Sequence, residues 1–78
     1  MTEHFTYNRT WEEIHRLLDE SEQLMNGHKA QSYQQSIPTK ERMQHLRDYK
    51  ALQGVCNALR WVLGHKNTTK TKVLTGED

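Results

Sequence analysis

Residues 39–64 carry the most regular apolar pattern in the chain, and this pattern predicts a long amphipathic helix. Pro38 comes directly before it, and proline is tolerated at a helix start but not in a helix interior. Gly64 marks its end, because glycine readily adopts the left-handed conformation found at helix C-termini. At about 100° per residue, the apolar side chains share about half of the helix circumference, with Leu59 near the centre of that arc. The arc consists of Ala51, Leu52, Val55, Cys56, Ala58, Leu59, Val62 and Leu63.

A shorter amphipathic helix is predicted before it, over residues 10–26. Thr10 and Glu13 form the capping-box pattern T-x-x-E that marks a helix start, and Gly27 predicts its end. Its apolar side chains follow a single narrow stripe, made of Trp11, Ile14, Leu17, Leu18, Leu24 and Met25. The connection, residues 28–38, is predicted to be a loop with one or two helical turns. The expected fold is therefore all-α, an antiparallel helical hairpin.

The ends of the chain lack this periodicity. Residues 1–9 are predicted to form an N-terminal arm, because Phe5 and Tyr7 alternate as in extended backbone. Residues 65–78 combine threonines and lysines with an isolated Val73-Leu74 pair, which predicts a flexible tail or a short strand. The expected organisation is one hairpin domain, residues 10–64, between two extended or flexible termini.

Composition limits how stable such a hairpin is by itself. Only 33% of the 78 residues are hydrophobic, and a chain this short buries a modest fraction of its surface. A net charge of +1 nevertheless argues against full disorder, which usually couples low hydrophobicity with high net charge. Residues 1–36 carry three basic and six acidic side chains, a charge of −3, whereas residues 37–76 carry eight basic and two acidic ones, a charge of +6. The two halves should attract each other, within one chain or between copies.

The apolar arc of residues 39–64 is wider than the narrow stripe of the first helix can cover, so part of it should contact another surface. Gly54 lies inside the helix, between Ala51 and Ala58. These three small residues either form a strip where another helix can approach closely, or Gly54 is a tolerated surface glycine. Trp61 lies outside the arc and is either an interface anchor or a cover for the connection. The predicted partner-binding residues are Ala51, Leu52, Gly54, Val55, Ala58, Leu59, Trp61 and Val62.

No constellation of catalytic residues is apparent. The five histidines are too scattered to form a helical i, i+4 metal pair, and no phosphate-binding glycine loop or nucleophile motif is present. Cys56 lies within the apolar arc, where a thiol normally packs as a small hydrophobic group. As the single cysteine it cannot form an intrachain disulfide, which favours a reducing compartment such as the cytoplasm. The sequence predicts a non-enzymatic protein without catalytic or metal-binding residues, cofactor, small-molecule substrate or membrane-spanning segment.

Nucleic-acid binding is the alternative function. The second half of the chain is basic, and its candidate phosphate contacts are Arg42, Lys50, Arg60, Lys66, Lys70 and Lys72. The overall pI of about 7.9 is low for a dedicated nucleic-acid-binding domain. A helix-turn-helix would also need a tighter turn than residues 27–38 provide.

The sequence LRDYKALQG at residues 46–54, followed by ALRWVLG at residues 58–64, resembles the long helix of short helical-hairpin proteins of tailed bacteriophages. This resemblance implies a small accessory or structural protein, repeated within a virion. It implies no catalytic residue. The expected partners are further copies of the chain, another structural protein, or both.

Overall fold

The computed structural model describes residues 8–76, which form three helices: α1 (Trp11–Ser32), α2 (Thr39–Val62) and α3 (Lys70–Thr75). Helices α1 and α2 pack against each other as an antiparallel hairpin, and α3 packs against α2. No strand occurs in this part of the chain. The predicted all-α hairpin is confirmed. The N-terminal arm residues Phe5 and Tyr7 lie outside the described residues.

The predicted capping box starts α1. Thr10 has extended backbone, its Oγ1 accepts a hydrogen bond from the Glu13 N–H at 3.1 Å, and its own N–H donates to the Glu13 carboxylate at 3.2 Å. These two bonds satisfy N–H groups that have no partner within the helix. The Thr10 N–H, together with the Arg9 guanidinium at 3.3 Å, lowers the pKa of Glu13 from its ordinary value.

The predicted end of α1 at Gly27 is wrong. Gly27 continues the helix without a positive φ, and α1 extends to Ser32. A glycine within a helix costs only about 1 kcal/mol relative to alanine, and the added turns bring His28 and Ser32 against α2, where both are half-buried. Residues 33–37 then form the turn, and α2 begins after Pro38 as predicted.

The end of α2 is also as the sequence predicts. Gly64 has a φ of 78°, its N–H donates to the Trp61 carbonyl at 3.1 Å, and the His65 N–H donates to the Arg60 carbonyl at 2.9 Å. These bonds form a Schellman motif, which satisfies carbonyls at a helix end.

Residues 70–75 are helical, although the sequence predicted a flexible tail or a strand there. The Thr69 hydroxyl accepts a hydrogen bond from the Lys72 N–H at 3.2 Å, and Gly76 closes the helix with a φ of 74°. Capping interactions therefore define both ends of α3, which its apolar pattern did not reveal.

The contact between α1 and α2, called the seam below, follows alternating spacings of three and four residues, as in a coiled coil. Its half-buried and buried positions on α1 include Ile14, Leu18, Ser21, Met25, His28 and Ser32. Those on α2 include His45, Tyr49, Leu52, Gln53, Cys56, Asn57 and Arg60. Among the described residues, the five most buried are Leu18, Ser21, Gln53, Cys56 and Asn57, of which only two are hydrophobic. The core is thus narrow and partly polar.

Helix α2 does not turn the centre of its apolar arc toward α1. The α2 side chains buried in the seam are Gln53, Cys56 and Asn57, whereas Leu59 is only half-buried and Val55 is exposed. At about 100° per residue, Val55 lies roughly a quarter-turn away from Cys56 around the helix axis. Part of the apolar arc therefore remains open to solvent.

Leu18→Ala is expected to destabilise the fold by about 2–4 kcal/mol, because Leu18 is 7% exposed and its truncation leaves a cavity in the seam. Chemical denaturation followed by circular dichroism measures this loss. Leu74→Ala is the control, since Leu74 is 75% exposed and its truncation should change stability by only about 0.5 kcal/mol. Equal losses for the two variants would contradict the assignment of the core.

Glu13→Gln is expected to lower the melting temperature at neutral pH and to have little effect in acid. The folded-state pKa of Glu13 is lowered, so the ionised carboxylate contributes stability above its ordinary value of 4.5, and that contribution is lost as pH falls through the lowered pKa. Thermal unfolding of both proteins across the acidic range measures the difference. A difference that does not change with pH would show that the charge of the capping box is unimportant.

Candidate interaction face and histidine cluster

One side of the hairpin exposes apolar side chains from both helices. Leu17 and Leu24 of α1, with Val55 and Val62 of α2, are each 41–59% exposed. Within each helix the two residues are seven positions apart, which is about two turns, so they lie in line along the helix. These four residues are called the open face.

A groove joins the two helices at the end of the hairpin that lies away from the turn. Leu17 and Ile14 of α1 and Leu59 and Val62 of α2 line it, which places the exposed rows of both helices on the same side. The groove has a volume of about 510 Å³, and the Arg9–Glu13 ion pair borders it. It offers apolar walls to a side chain from another protein surface.

The opposite side of the seam is polar. The Arg60 guanidinium lies 3.7 Å from the Glu22 carboxylate and 3.5 Å from the Asn57 side-chain oxygen. A second groove here is lined by Glu22, Asn57, Arg60, His65, Asn67, Thr68 and Lys72. The segment leading into α3 and α3 itself therefore border this side, whereas the open face has no such cover among the described residues.

The six basic residues predicted as nucleic-acid contacts do not form one continuous surface. Arg60 and Lys72 line the second groove together with Glu22, and the Lys72 ammonium donates to the Asn67 carbonyl at 3.0 Å. Arg42 donates to the Thr39 hydroxyl at 3.1 Å. Arg42 and Arg60 are eighteen residues apart on one helix, roughly 27 Å along its axis. The remaining three are all exposed: Lys50 on α2, Lys66 before α3 and Lys70 at the start of α3.

The structure divides the predicted partner-binding residues into two groups. Leu52, Val55, Leu59 and Val62 lie on or beside the open face. Ala51 and Ala58 also lie beside it, about 20° and 40° around the helix axis from Val62. Gly54 and Trp61 lie in another sector of α2, about 80° and 100° from Val62, and Trp61 is 50% exposed. A Cβ built on Gly54 would meet no atom within 4 Å, so no close helix approach within this chain requires that glycine. Leu17 and Leu24 were not predicted, because the stripe on α1 was assigned to packing against α2.

No protein family model, curated protein or solved structure matches this chain. Among residues 8–76, no helix combines the length and apolarity needed to cross a membrane.

A cluster of polar side chains joins α1 and α2 near the turn. The Nδ1 atoms of His28 and His45 are 3.0 Å apart, and His28 Nδ1 lies 3.9 Å from Asp48 Oδ2. All three residues are half-buried. The Gln44 side-chain amide donates to Asp48 Oδ1 at 3.1 Å, which holds the carboxylate in place. These residues are called the histidine cluster.

The sequence has no histidine pair at i, i+4 spacing, but the fold brings His28 and His45 together. Seventeen residues separate them in the sequence, and they meet only because α1 continues past Gly27 and the hairpin sets the register between the helices. The spacing of His45 and Asp48, at i and i+3 on one helix, was the available signal in the sequence, since such residues share a helix face.

Cys56 packs in the seam as the sequence predicts. Its side chain is fully buried, and burial raises the pKa of its thiol above the ordinary value of 9.0, with Glu22 acting in the same direction and Arg60 opposing it. The thiolate is the reactive form of cysteine, so both burial and the raised pKa reduce reactivity.

At pH 8, the folded chain is expected to react with a disulfide reagent such as DTNB at least about a hundredfold more slowly than the chain unfolded in guanidinium. Modification requires opening of the seam around Cys56, whose probability decreases with the local free energy of unfolding. Absorbance of the released thiol measures both rates. Comparable rates in the two states would mean that the seam does not protect Cys56.

Proposed function

We propose that this chain is a non-enzymatic interaction protein that associates with a second copy of itself through the open face. The observation that carries this proposal is the alignment of Leu17, Leu24, Val55 and Val62 on one side of the hairpin, all exposed. Soluble monomers rarely expose large continuous apolar patches, and such patches commonly mark interaction sites.

The amount of exposed surface supports association. The chain exposes 6371 Å², whereas a compact monomer of 9.3 kDa exposes roughly 5000 Å². The molecule is elongated, 46 Å by 25 Å by 24 Å, and so offers a long face for docking.

Charge selects a second copy as the partner. Helix α1 carries five acidic and two basic side chains, a charge of −3, and α2 carries five basic and two acidic ones, a charge of +3. A two-fold axis parallel to the hairpin would place α1 of each copy against α2 of the other, forming a four-helix bundle. The other face-to-face arrangement, with like helices opposed, would bring charges of the same sign together. Because exposed ion pairs contribute little, apolar burial stabilises the dimer and charge chooses its arrangement.

The resemblance of residues 46–64 to the long helix of phage hairpin proteins adds a biological setting to this proposal, the virion of a tailed bacteriophage. In that setting the chain is a structural component that is present in several copies within a virion. Another structural protein could then occupy the open face in place of a second copy, with the same apolar contacts.

Val62→Glu is expected to abolish dimerisation, because it places a charge within the apolar interface. Light scattering after size-exclusion chromatography at micromolar concentrations should give twice the 9.3 kDa chain mass for the wild type and the single chain mass for the variant. Trp61→Glu is the matched control, since Trp61 is similarly exposed but lies outside the open face. It should remain dimeric.

Two results would contradict this proposal. A monomeric wild type at these concentrations would exclude self-association and leave another protein as the partner. Loss of the dimer in Trp61→Glu, with its retention in Val62→Glu, would place the interface on the other side of α2.

A further inference from the structure

We propose that His28, His45 and Asp48 form a binding site for a divalent transition-metal ion of the Zn²⁺ class. His28 comes from α1, and the other two ligands come from α2. One potential ligand atom from each of the three side chains lies within 4.8 Å of the others. The proposal is independent of dimerisation, because all three residues belong to one hairpin.

The distances fit a small ion with few ligands. Zn²⁺ bound tetrahedrally at about 2.0–2.1 Å from each ligand atom holds those atoms roughly 3.3 Å apart. The His28–His45 nitrogen distance is 3.0 Å, slightly below that value, and the distance from His28 Nδ1 to Asp48 Oδ2 is 3.9 Å, slightly above it. The ligand atoms of His45 and Asp48 lie within 4.8 Å of each other, so side-chain rotation would have to bring this pair closer when an ion binds.

The donor atoms select the class of ion. Two imidazole nitrogens with one carboxylate oxygen suit zinc and neighbouring transition metals, whereas Mg²⁺ and Ca²⁺ prefer oxygen ligands throughout. Three protein ligands leave a fourth tetrahedral position for water. The His28 and Asp48 side chains are 26% and 41% exposed, so solvent and the ion can reach the cluster.

Without an ion, one protonated Nδ1 can donate a hydrogen bond to the other across the 3.0 Å between the two rings, so it is the placement of the Asp48 carboxylate that points to coordination. Asp48 Oδ2 is too far from the His28 ring, at 3.9 Å, for a hydrogen bond with it. Gln44 donates to the other carboxylate oxygen, Oδ1, which orients Oδ2 toward the histidines. Hydrogen bonds of this kind commonly orient the ligands of metal sites.

The ion would link α1 to α2 near the turn, where the seam contains few apolar side chains. Its ligands converge only in the folded hairpin, so binding should be coupled to folding. The metal would thus stabilise the end of the hairpin that lies away from the groove formed by Ile14 and Leu59.

Titration calorimetry and thermal unfolding of the tag-free full chain with Zn²⁺ test this inference. We expect one ion per chain, and a rise in melting temperature of about 10 °C or more when free Zn²⁺ exceeds the dissociation constant a hundredfold. His28→Gln and Asp48→Asn should each weaken binding at least about tenfold. His15→Gln, which changes an exposed histidine of α1 outside the cluster, should bind as the wild type does.

Co²⁺ provides a measurement that does not depend on the variants folding. Intense visible absorption, typical of four-coordinate cobalt, is expected when Co²⁺ binds the wild type, and Zn²⁺ should displace it. The proposal is overturned if Zn²⁺ causes no rise in melting temperature, or if cobalt shows only the weak absorption of the hydrated ion. Unchanged affinity in His28→Gln and Asp48→Asn, with helicity retained, would also overturn it.

Discussion

The narrow seam between α1 and α2 is the constraint on which the other features depend. It buries Leu18 and Cys56, but also Ser21, Gln53 and Asn57, so apolar burial holds the hairpin together along only part of its length. Apolar burial is the main favourable term in folding, and a chain of this size has little of it to spare. The way in which α1 and α2 pack against each other in the seam also determines which side chains of α2 remain outside it.

In our two proposals, the two ends of the hairpin would compensate for this narrow core in different ways. Toward the free ends of the helices, Leu17 and Val62 remain exposed, and burial against another copy would add the apolar contact that the seam lacks. Toward the turn, His28 and His45 take the places that apolar side chains occupy in an ordinary coiled coil. A metal ion held there would replace packing with coordination bonds. In both proposals, therefore, a bound partner stabilises the folded hairpin: a second copy of the chain in one and a metal ion in the other.

Local signals in the sequence were sufficient where a few neighbouring residues determine the backbone. The capping box of Thr10 and Glu13, the start of α2 after Pro38 and its end at Gly64 all depend on hydrogen bonds or φ values within one turn. Gly27 misled the prediction because the cost of a helical glycine is small enough for contacts with another helix to offset it. The short helix after Thr69 was missed because the prediction relied on apolar periodicity, which six residues hardly show.

The sequence by itself determined the fold class, the starts of α1 and α2 and the surplus of apolar surface on α2, because these follow from periodicity and capping along a continuous stretch of chain. Only the tertiary structure decided the rotation of α2 about its axis, and with it the exposure of Val55 and the proximity of His28 to His45. A broad apolar arc can pack against a neighbour in several rotations of similar burial. The choice between them depends on the side chains that the facing helix presents, and in this structure polar side chains of both helices, such as Ser21 and Gln53, are buried in the seam.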